Sequence, residues 1–340
     1  MTTLTREPAR PAPAGPARNH WIPRLGGPVW LVWRQHRAAF WTLIGVTLIG
    51  VAVMVYLRGQ MMDYLATQAP TSRRPGGLPP EFETYVDPLF SIGSYLSYIP
   101  ILAGVLLGAP LIAGDLETGT AKLVTSQSVS RVRWLIVKLA VPAAMLALST
   151  GVLTAVLTWW WHPVKGLSSG LIWTAFFSVT GVVPVAYALL TFTVGVAVGL
   201  LLRRTLVSMV VTLGIVVAIG FLWSELWRSL GHVMSVSTDK GVGPGAVRPE
   251  LPTEAEQLGQ GTYFLTSSGG RLDWTTCLDQ IEDDRAHTAC LESKHVIGWS
   301  IDYLPVSQMQ TMQLLGAGIM LALAAGVATF VILWGRKRLL

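Results

Sequence analysis

Six long apolar runs, separated by shorter polar segments, dominate this chain and leave it few possible folds. A helix satisfies all its backbone hydrogen bonds internally, and about 20 helical residues cross the roughly 30 Å hydrocarbon layer of a bilayer. Only 13% of the residues are charged, against about 25% in soluble domains. The sequence therefore predicts an all-α polytopic membrane protein with six transmembrane helices: Phe40–Leu57, Tyr95–Gly114, Leu135–Trp160, Leu171–Leu202, Leu206–Trp223 and Met312–Trp334.

The fourth run is longer than one span requires, and Pro184 lies near its middle. We expect the proline to kink this helix, or the helix to tilt. Only Arg203, Arg204 and Thr205 separate the fourth run from the fifth, which predicts a tight turn at a basic membrane edge.

Charge predicts the orientation of the six spans. The segments on the side of both termini, Lys138 included, hold 15 Lys/Arg and 3 acidic residues. The opposite segments, 58–94, 161–170 and 224–311, hold 10 Lys/Arg and 16 acidic residues. Cytoplasmic loops are enriched in Lys and Arg. Both termini and the loop 115–134 are therefore predicted to be cytoplasmic.

The region before the first span divides into two parts. Residues 1–25 are rich in Pro, Ala and Arg, which predicts a disordered cytoplasmic tail. Residues 26–39, GGPVWLVWRQHRAA, mix tryptophans with basic residues after a proline suited to a helix start, which predicts an interfacial helix. The alternative is an inward extension of the first span. That span begins too late for a signal peptide, so we expect it to stay in the mature chain.

The segment 224–311 is the one large polar region, and its charge predicts an extracytoplasmic loop before the last span. It contains both cysteines of the chain, Cys277 and Cys290, and disulfides persist in that compartment. We expect a disulfide; two free thiols are the alternative, and the spacing of His287 and His295 matches no zinc pattern. The acidic residues nearby would bind a cation or form a solvated face: Asp279, Glu282, Asp283 and Asp284.

The chain lacks the motifs of an energy source or of a membrane enzyme. The phosphate-binding pattern GxxxxGK[ST] occurs nowhere, and the cores of the six runs lack the carboxylates and histidines of proton relays and metalloproteases. His162 stands alone beside a run of tryptophans, as expected of a solvated residue at a membrane interface. No cofactor or metal is therefore predicted for this chain, and directed work would need another subunit.

The stretch AGDLETGTAKL, residues 113–123, follows twenty residues without a charge. Acidic residues favour a helix N-terminus, so Asp115 and Glu117 would begin a short helix in the loop. Gly119 allows a sharp bend, and Thr120 would cap the residues after it. A short helix at the membrane surface would offer a binding site for a soluble partner. An ordinary connector with solvated acids is the alternative.

Residues 113–139 resemble the loop of permease subunits in type-2 ABC exporters. In that family an apolar span ends in an acidic E-x-G-T element, and an Arg/Lys-rich segment leads into the next span. The layout of residues 26–340 is similar too, and Tyr303, Pro305 and Ser307 fit a Y-x-P-x-S element found before the last span in some bacterial permeases. Where those permeases continue with Arg-Phe-Trp, this chain has Gln308, Met309 and Gln310. The loop residues that match are Glu117, Gly119 and Thr120, then Arg131, Arg133 and Lys138.

The resemblance implies a bacterial cell-membrane permease that is not itself an enzyme. It would pair with a second permease, identical or related, and with two cytosolic subunits that bind ATP and magnesium. It implies export along a path at the interface of the two permeases, lined by their second and fifth spans. A path lined by apolar side chains suits a hydrophobic or amphipathic compound. The glycines of those spans would serve the path or helix packing: Gly104, Gly108, Gly214 and Gly220. The residues implied to couple ATPase to permease are Asp115, Glu117, Gly119, Thr120 and Lys122.

Two other classes of function stay open at this point. One is a membrane sensor or regulatory scaffold that binds a ligand through the segment 224–311. The other is a membrane enzyme with an extracytoplasmic site. Nucleic acid is not an expected partner, because the basic residues are explained by membrane topology.

Overall fold

The structure, a computed structural model, describes residues 28–67, 80–119, 131–164, 175–242, 246–252 and 255–338. Six of its helices are long and apolar enough to cross a membrane, which confirms the predicted fold class. The helices are α1 (Pro28–Gln35), α2 (Arg37–Thr67), α3 (Pro80–Leu96), α4 (Ile99–Leu102), α5 (Ala109–Glu117), α6 (Arg131–Trp161), α7 (Val183–Leu202), α8 (Thr205–Leu226), α9 (Asp284–Ser293) and α10 (Met309–Arg338).

These helices form the six spans in chain order. Helix α2 is the first span, α6 the third, α7 the fourth, α8 the fifth and α10 the sixth. The second span comprises α3, α4 and α5, and the π-helical turn Ala103–Gly108 joins the last two. A 3-10 turn, Trp227–Leu230, extends the fifth span.

The fourth span is the centre of the bundle, with 72% of its apolar window buried against 17% for the first and fifth spans. Small residues let the second span approach it closely: a Cβ at Gly104 would lie only 2.8 Å from the carbonyl oxygen of Thr191. The hydroxyl of Thr191 donates to the carbonyl oxygen of Pro100 at 2.6 Å. Gly104 therefore serves helix packing, and Gly108 packs against the same span, whereas Gly214 has no atom within 4 Å of its Cβ position.

The start of the fourth span differs from the sequence prediction. Helix α7 begins at Val183, so Pro184 lies in its first turn, where proline is tolerated, and does not kink a longer helix. The turns before it are tied to the sixth span by the buried side chain of Gln313, whose Nε2 donates to the carbonyl oxygens of Phe177 at 3.0 Å and Thr180 at 3.3 Å. The predicted loop 58–94 is also largely helical where it is described, because α2 runs to Thr67 and α3 begins at Pro80.

The segment before the last span forms a four-stranded antiparallel sheet that the sequence analysis did not predict. Its strands are β1 (Met234–Thr238), β2 (Glu256–Thr266), β3 (Arg271–Asp273) and β4 (Val296–Leu304), in the order β1-β4-β2-β3. We call the end of the bundle that carries this sheet the sheet end. We call the opposite end, where α1 meets the ends of α5 and α6, the basic end.

Candidate functional site

The acidic stretch AGDLETGTAKL begins inside the second span and not in a loop. Helix α5 continues to Glu117, and the backbone N–H of Thr118 donates to the carbonyl oxygen of Gly114 at 3.0 Å. Gly119 then has a φ of +72°, the left-handed conformation with which glycine commonly ends helices. The prediction that Asp115 and Glu117 begin a helix is therefore wrong, because both lie in the last turn of one. A helix C-terminus disfavours carboxylates, so each acid needs a compensating partner.

The rest of the predicted coupling loop lies outside the described residues. Thr120 and Lys122 belong to that part, as does the Ser-rich turn that comes after them. The chain is described again from Arg131, where α6 begins. The candidate site is therefore built from the two helix ends on either side of the loop.

Asp115 is compensated by the third span and by α1. Its side chain is buried and forms an ion pair with the ammonium of Lys138, which is fully buried in α6. Its other carboxylate oxygen accepts a hydrogen bond of 2.6 Å from Nε2 of Gln35 at the end of α1. Removing two charges from water costs several kcal/mol for each ion, and only close pairing with further hydrogen bonds offsets that cost. Asp115 is therefore not the solvated loop acid that the sequence suggested, and Lys138 is more than a basic edge residue.

His36 lies beside this pair, at the bend between α1 and α2. Its Nε2 is buried and has no hydrogen-bond partner among the described residues. Burial lowers the pKa of the imidazole below its ordinary value of 6.5, the positive charge of Lys138 lowers it further, and Asp115 partly opposes the shift. The imidazole is therefore neutral at pH 7.

Trp134 completes the group, since Nζ of Lys138 lies 5.0 Å from the centroid of its ring. We call Gln35, His36, Asp115, Trp134 and Lys138 the basic-end cluster. It joins α1 and the second span to the third span through polar contacts at a low-dielectric position. Any movement that separates α5 from α6 would leave a buried charge unpaired, so the three helices are coupled as one unit.

Glu117 is exposed and joins the second span to the fifth. Its carboxylate accepts a 2.9 Å hydrogen bond from the backbone N–H of Thr205, the first residue of α8. The first N–H groups of a helix lack partners within it, and a carboxylate there also interacts favourably with the helix dipole. Glu117 therefore stabilises the start of the fifth span, just after the left-handed turn at Arg203.

Sequence reasoning found some of these residues and missed the contacts among them. The sequence analysis singled out Asp115, Glu117 and Gly119, and the structure places all three at the end of the second span. The roles of Gln35 and His36 were missed, because both read as the polar face of an interfacial helix. Lys138 carried a detectable signal: it is a lone charge within the apolar run WLIVKLAV, and isolated intramembrane charges are seldom without a partner.

The sheet end contains the other predicted site residues. Cys277 and Cys290 form a disulfide that joins the turn after β3 to α9. Asp283, from the acidic group, caps α9 by accepting hydrogen bonds from the backbone N–H groups of Arg285 and Ala286 at 2.9 and 3.2 Å. No group of three or more His, Cys, Asp or Glu residues able to hold a metal occurs within the described ranges. Asp283 therefore has a structural role as the N-cap of α9.

Gln308, one of the residues that departs from the Arg-Phe-Trp pattern, closes the segment at its base. Its side-chain amide accepts a hydrogen bond of 2.7 Å from the backbone N–H of His232 and donates one of 3.0 Å to the carbonyl oxygen of the same residue. This two-way contact holds the two ends of the sheet-bearing segment together above the fifth and sixth spans.

Comparison with known protein families gives a match over the first part of the chain. A family model described as ABC-2 membrane transporter related matches residues 44–228, which is more than half of the chain. The matched range includes the second, third and fourth spans and most of the first and fifth. The matched range contains Asp115, Glu117, Gly119 and Lys138. No curated protein matches the chain.

Proposed function

Because the chain belongs to the ABC-2 membrane transporter related family, we propose that it is the permease subunit of an ATP-driven ABC exporter, with a separate ATP-binding subunit as its motor. The family match and the six apolar helices support a multi-pass transport component that is not a catalytic enzyme itself. The absence of a GxxxxGK[ST] motif from the sequence supports a separate site of ATP hydrolysis. The single observation that carries the coupling mechanism is the basic-end cluster, which connects three helices around one buried ion pair.

In this proposal the basic end faces the cytoplasm of a bacterial cell and both termini are inside. The excess of Lys and Arg on that side supports this orientation. The sheet and its disulfide then lie outside, where disulfides persist.

We assign two roles within the stretch AGDLETGTAKL. Gly119, Thr120 and Lys122 belong to the surface that an ATPase contacts, together with the outer face of α1. Trp30 and Leu31 of that helix, 45% and 36% exposed, support a contact surface there. Asp115 and Glu117 transmit the movement, because they contact the third and fifth spans directly. A rigid ion pair suits transmission, since a displacement of α5 cannot be absorbed without breaking it.

The exported compound in this proposal is hydrophobic or amphipathic, and it passes between two permeases. The apolar face of the fifth span supports such an interface. Its side chains are exposed along the whole helix, from Leu206 at 77% to Val210 and Phe221, each at 71%. In a lone chain this face meets lipid, and in a pair of permeases it would meet the partner.

The test uses the full chain, co-expressed with its ATP-binding subunit and reconstituted in lipid vesicles. Glu117→Lys replaces the carboxylate that caps the fifth span by a cation, and Gly119→Val cannot readily adopt the positive φ found there. Neither change touches a membrane core, so we expect normal amounts of permease in the membrane and lost transport in both variants. ATPase copurification should be weak for Gly119→Val, which alters the contact surface, and retained for Glu117→Lys, which interrupts transmission to the fifth span. Glu292→Lys, a charge reversal on the exposed face of α9, is the matched control. It should leave ATPase copurification and transport unchanged.

Two results would contradict the proposal. Full ATPase binding and full substrate-stimulated hydrolysis in both variants would make the stretch a simple connector. A complex that binds a ligand at the sheet end, and in which no solute crosses the membrane, would favour the sensor or regulatory scaffold instead.

A further inference from the structure

A groove with a volume of about 860 Å³ opens on the flank of the bundle near the sheet end. It lies between the first, third, fourth and sixth spans, away from the basic-end cluster. Cavities of roughly 300–1,000 Å³ are the usual size of small-molecule sites. The groove plays no part in the coupling described above, so its chemistry needs a separate explanation.

The long wall of the groove is apolar. Small and aliphatic residues form it, including Ala155 of the third span, Val185 of the fourth and Leu321 of the sixth. The two threonines on the wall are already satisfied by their own helix: Thr154 donates to the carbonyl oxygen of Gly151 at 3.2 Å, and Thr158 donates to that of Thr154 at 2.7 Å. The wall therefore offers hydrocarbon-like contact and no unpaired donor from these hydroxyls.

One end of the groove is cationic. The guanidinium carbon of Arg58 lies 3.6 Å from the centroid of the Trp159 ring. Its Nε is buried and has no hydrogen-bond partner among the described residues, although a buried donor without a partner is costly. His162 lines the same end, and no acidic residue is among the described residues that line the groove. The mouth therefore lacks a counter-charge within the described part of the chain.

The depth of the groove matches the layers of a bilayer. Trp159 belongs to the run Trp159–Trp161 at the end of α6, and tryptophans favour the headgroup zone. Gly151, at the other end of the wall, lies eight residues earlier on α6, or about 12 Å deeper at 1.5 Å per residue. The cation is thus at headgroup level, and the apolar wall extends toward the hydrocarbon. An amphiphile with an anionic head and an alkyl chain is complementary to both parts.

We propose that this groove binds an anionic phospholipid of the surrounding bilayer, with its phosphate against Arg58 and one acyl chain along the wall of Ala155 and Val185. The phosphate pairs with the guanidinium of Arg58, which lines the groove, through the charge-assisted hydrogen bonds that a guanidinium favours. The chain enters sideways, because the groove opens on the flank of the helices: Trp159 is 48% exposed and Leu321 is 45% exposed. The assignment goes beyond export and does not depend on it.

The experiment measures lipid binding by native mass spectrometry of the purified full chain without any ATPase, so it is independent of transport. Three probes are compared: dioleoylphosphatidylglycerol, dioleoylphosphatidylcholine with the same chains, and inorganic phosphate. We expect one phosphatidylglycerol to be retained with at least tenfold preference over phosphatidylcholine, and no retention of inorganic phosphate. Binding of phosphate alone would point to a free-anion site and overturn the lipid assignment, as would equal retention of the two lipids.

Two variants and one control locate the site. Arg58→Gln removes the cation and should lower phosphatidylglycerol affinity about tenfold. Ala155→Phe fills the exposed wall with a ring while leaving Arg58 in place, and should abolish retention of the acyl chain. Arg248→Gln is matched chemically, because Arg248 also lies over a tryptophan, 4.9 Å from the ring centroid of Trp299, but outside the spans. Retention unchanged in Ala155→Phe, or lowered as much in Arg248→Gln as in Arg58→Gln, would refute the proposal.

Discussion

Breaking the buried ion pair between Asp115 and Lys138 should destabilise the protein far more than replacing both partners together. In Lys138→Met, a side chain of similar length keeps the apolar contacts of a fully buried position but leaves the Asp115 carboxylate without its cation. In Asp115→Asn, the amide still accepts the hydrogen bond of Gln35, but the ammonium of Lys138 is left unpaired.

The expected magnitudes follow from burial. Removing one partner of a buried pair costs about 3–5 kcal/mol, because the other charge stays uncompensated. The double variant has no buried charge at these two positions. Its remaining cost is an Asn amide whose N–H groups have no acceptor nearby, or about 1–3 kcal/mol. The free energies of unfolding should therefore give a coupling of about 3 kcal/mol or more between Asp115 and Lys138.

The assay is reversible unfolding of the purified full chain in detergent, followed by the near-UV circular dichroism of its tryptophans. The four species of the double-mutant cycle are compared under one set of conditions. Lys337→Met, which removes an exposed lysine near the end of α10, is the control and should change stability by no more than about 0.5 kcal/mol. If the two single effects add up to the double effect within about 0.5 kcal/mol, Asp115 and Lys138 do not interact. The proposed coupling of α5 to α6 through this ion pair would then be wrong.

Three further outcomes are expected. Intact-mass analysis after alkylation without a reductant should find no label on Cys277 or Cys290, and labelling of both thiols would disprove the disulfide. In a chain with both native cysteines replaced by serine, a cysteine at Ser268 should react with an impermeant thiol reagent on intact cells and one at Ser128 should not; the reverse pattern would invert the proposed topology. Burial lowers the pKa of His36, so below about pH 6.5 the unfolded state binds the additional proton. Stability should therefore fall as the pH falls below that value, and this part of the fall should be absent in His36→Phe.

The membrane class of this chain could be predicted from sequence because the physical alternatives are so few. A run such as Tyr95–Gly114, with no charge in twenty residues, is long enough to span a bilayer as a helix, and in hydrocarbon a helix satisfies its own backbone. The acidic stretch after it could likewise be singled out, because polar groups directly after such a run stand out against the background. These signals are local, so one segment at a time is enough to detect them.

The ends of the helices were harder to predict than their existence. Pro184 lies within a continuous apolar run, so hydropathy placed it in the middle of a helix. The fold instead starts α7 at Val183, because the preceding turns are fastened by Gln313, which is 136 residues from Phe177 in the chain. The sheet was missed for a related reason: strands such as β1 and β4 pair across some sixty intervening residues, and their pairing leaves no local pattern that identifies the partner.

The candidate site depended most on tertiary structure. Asp115 reads as a solvated loop acid, and Lys138 as one of several basic residues at a membrane edge. Folding brings Lys138 from 23 residues away and Gln35 from 80 residues away to the same carboxylate. A charge can be buried only when its partner is in place, and the position of the partner is set by how α1, α5 and α6 pack. The residue types could therefore be read from the sequence. Their burial, which determines how much the ion pair contributes to stability, comes from the packing of the three helices.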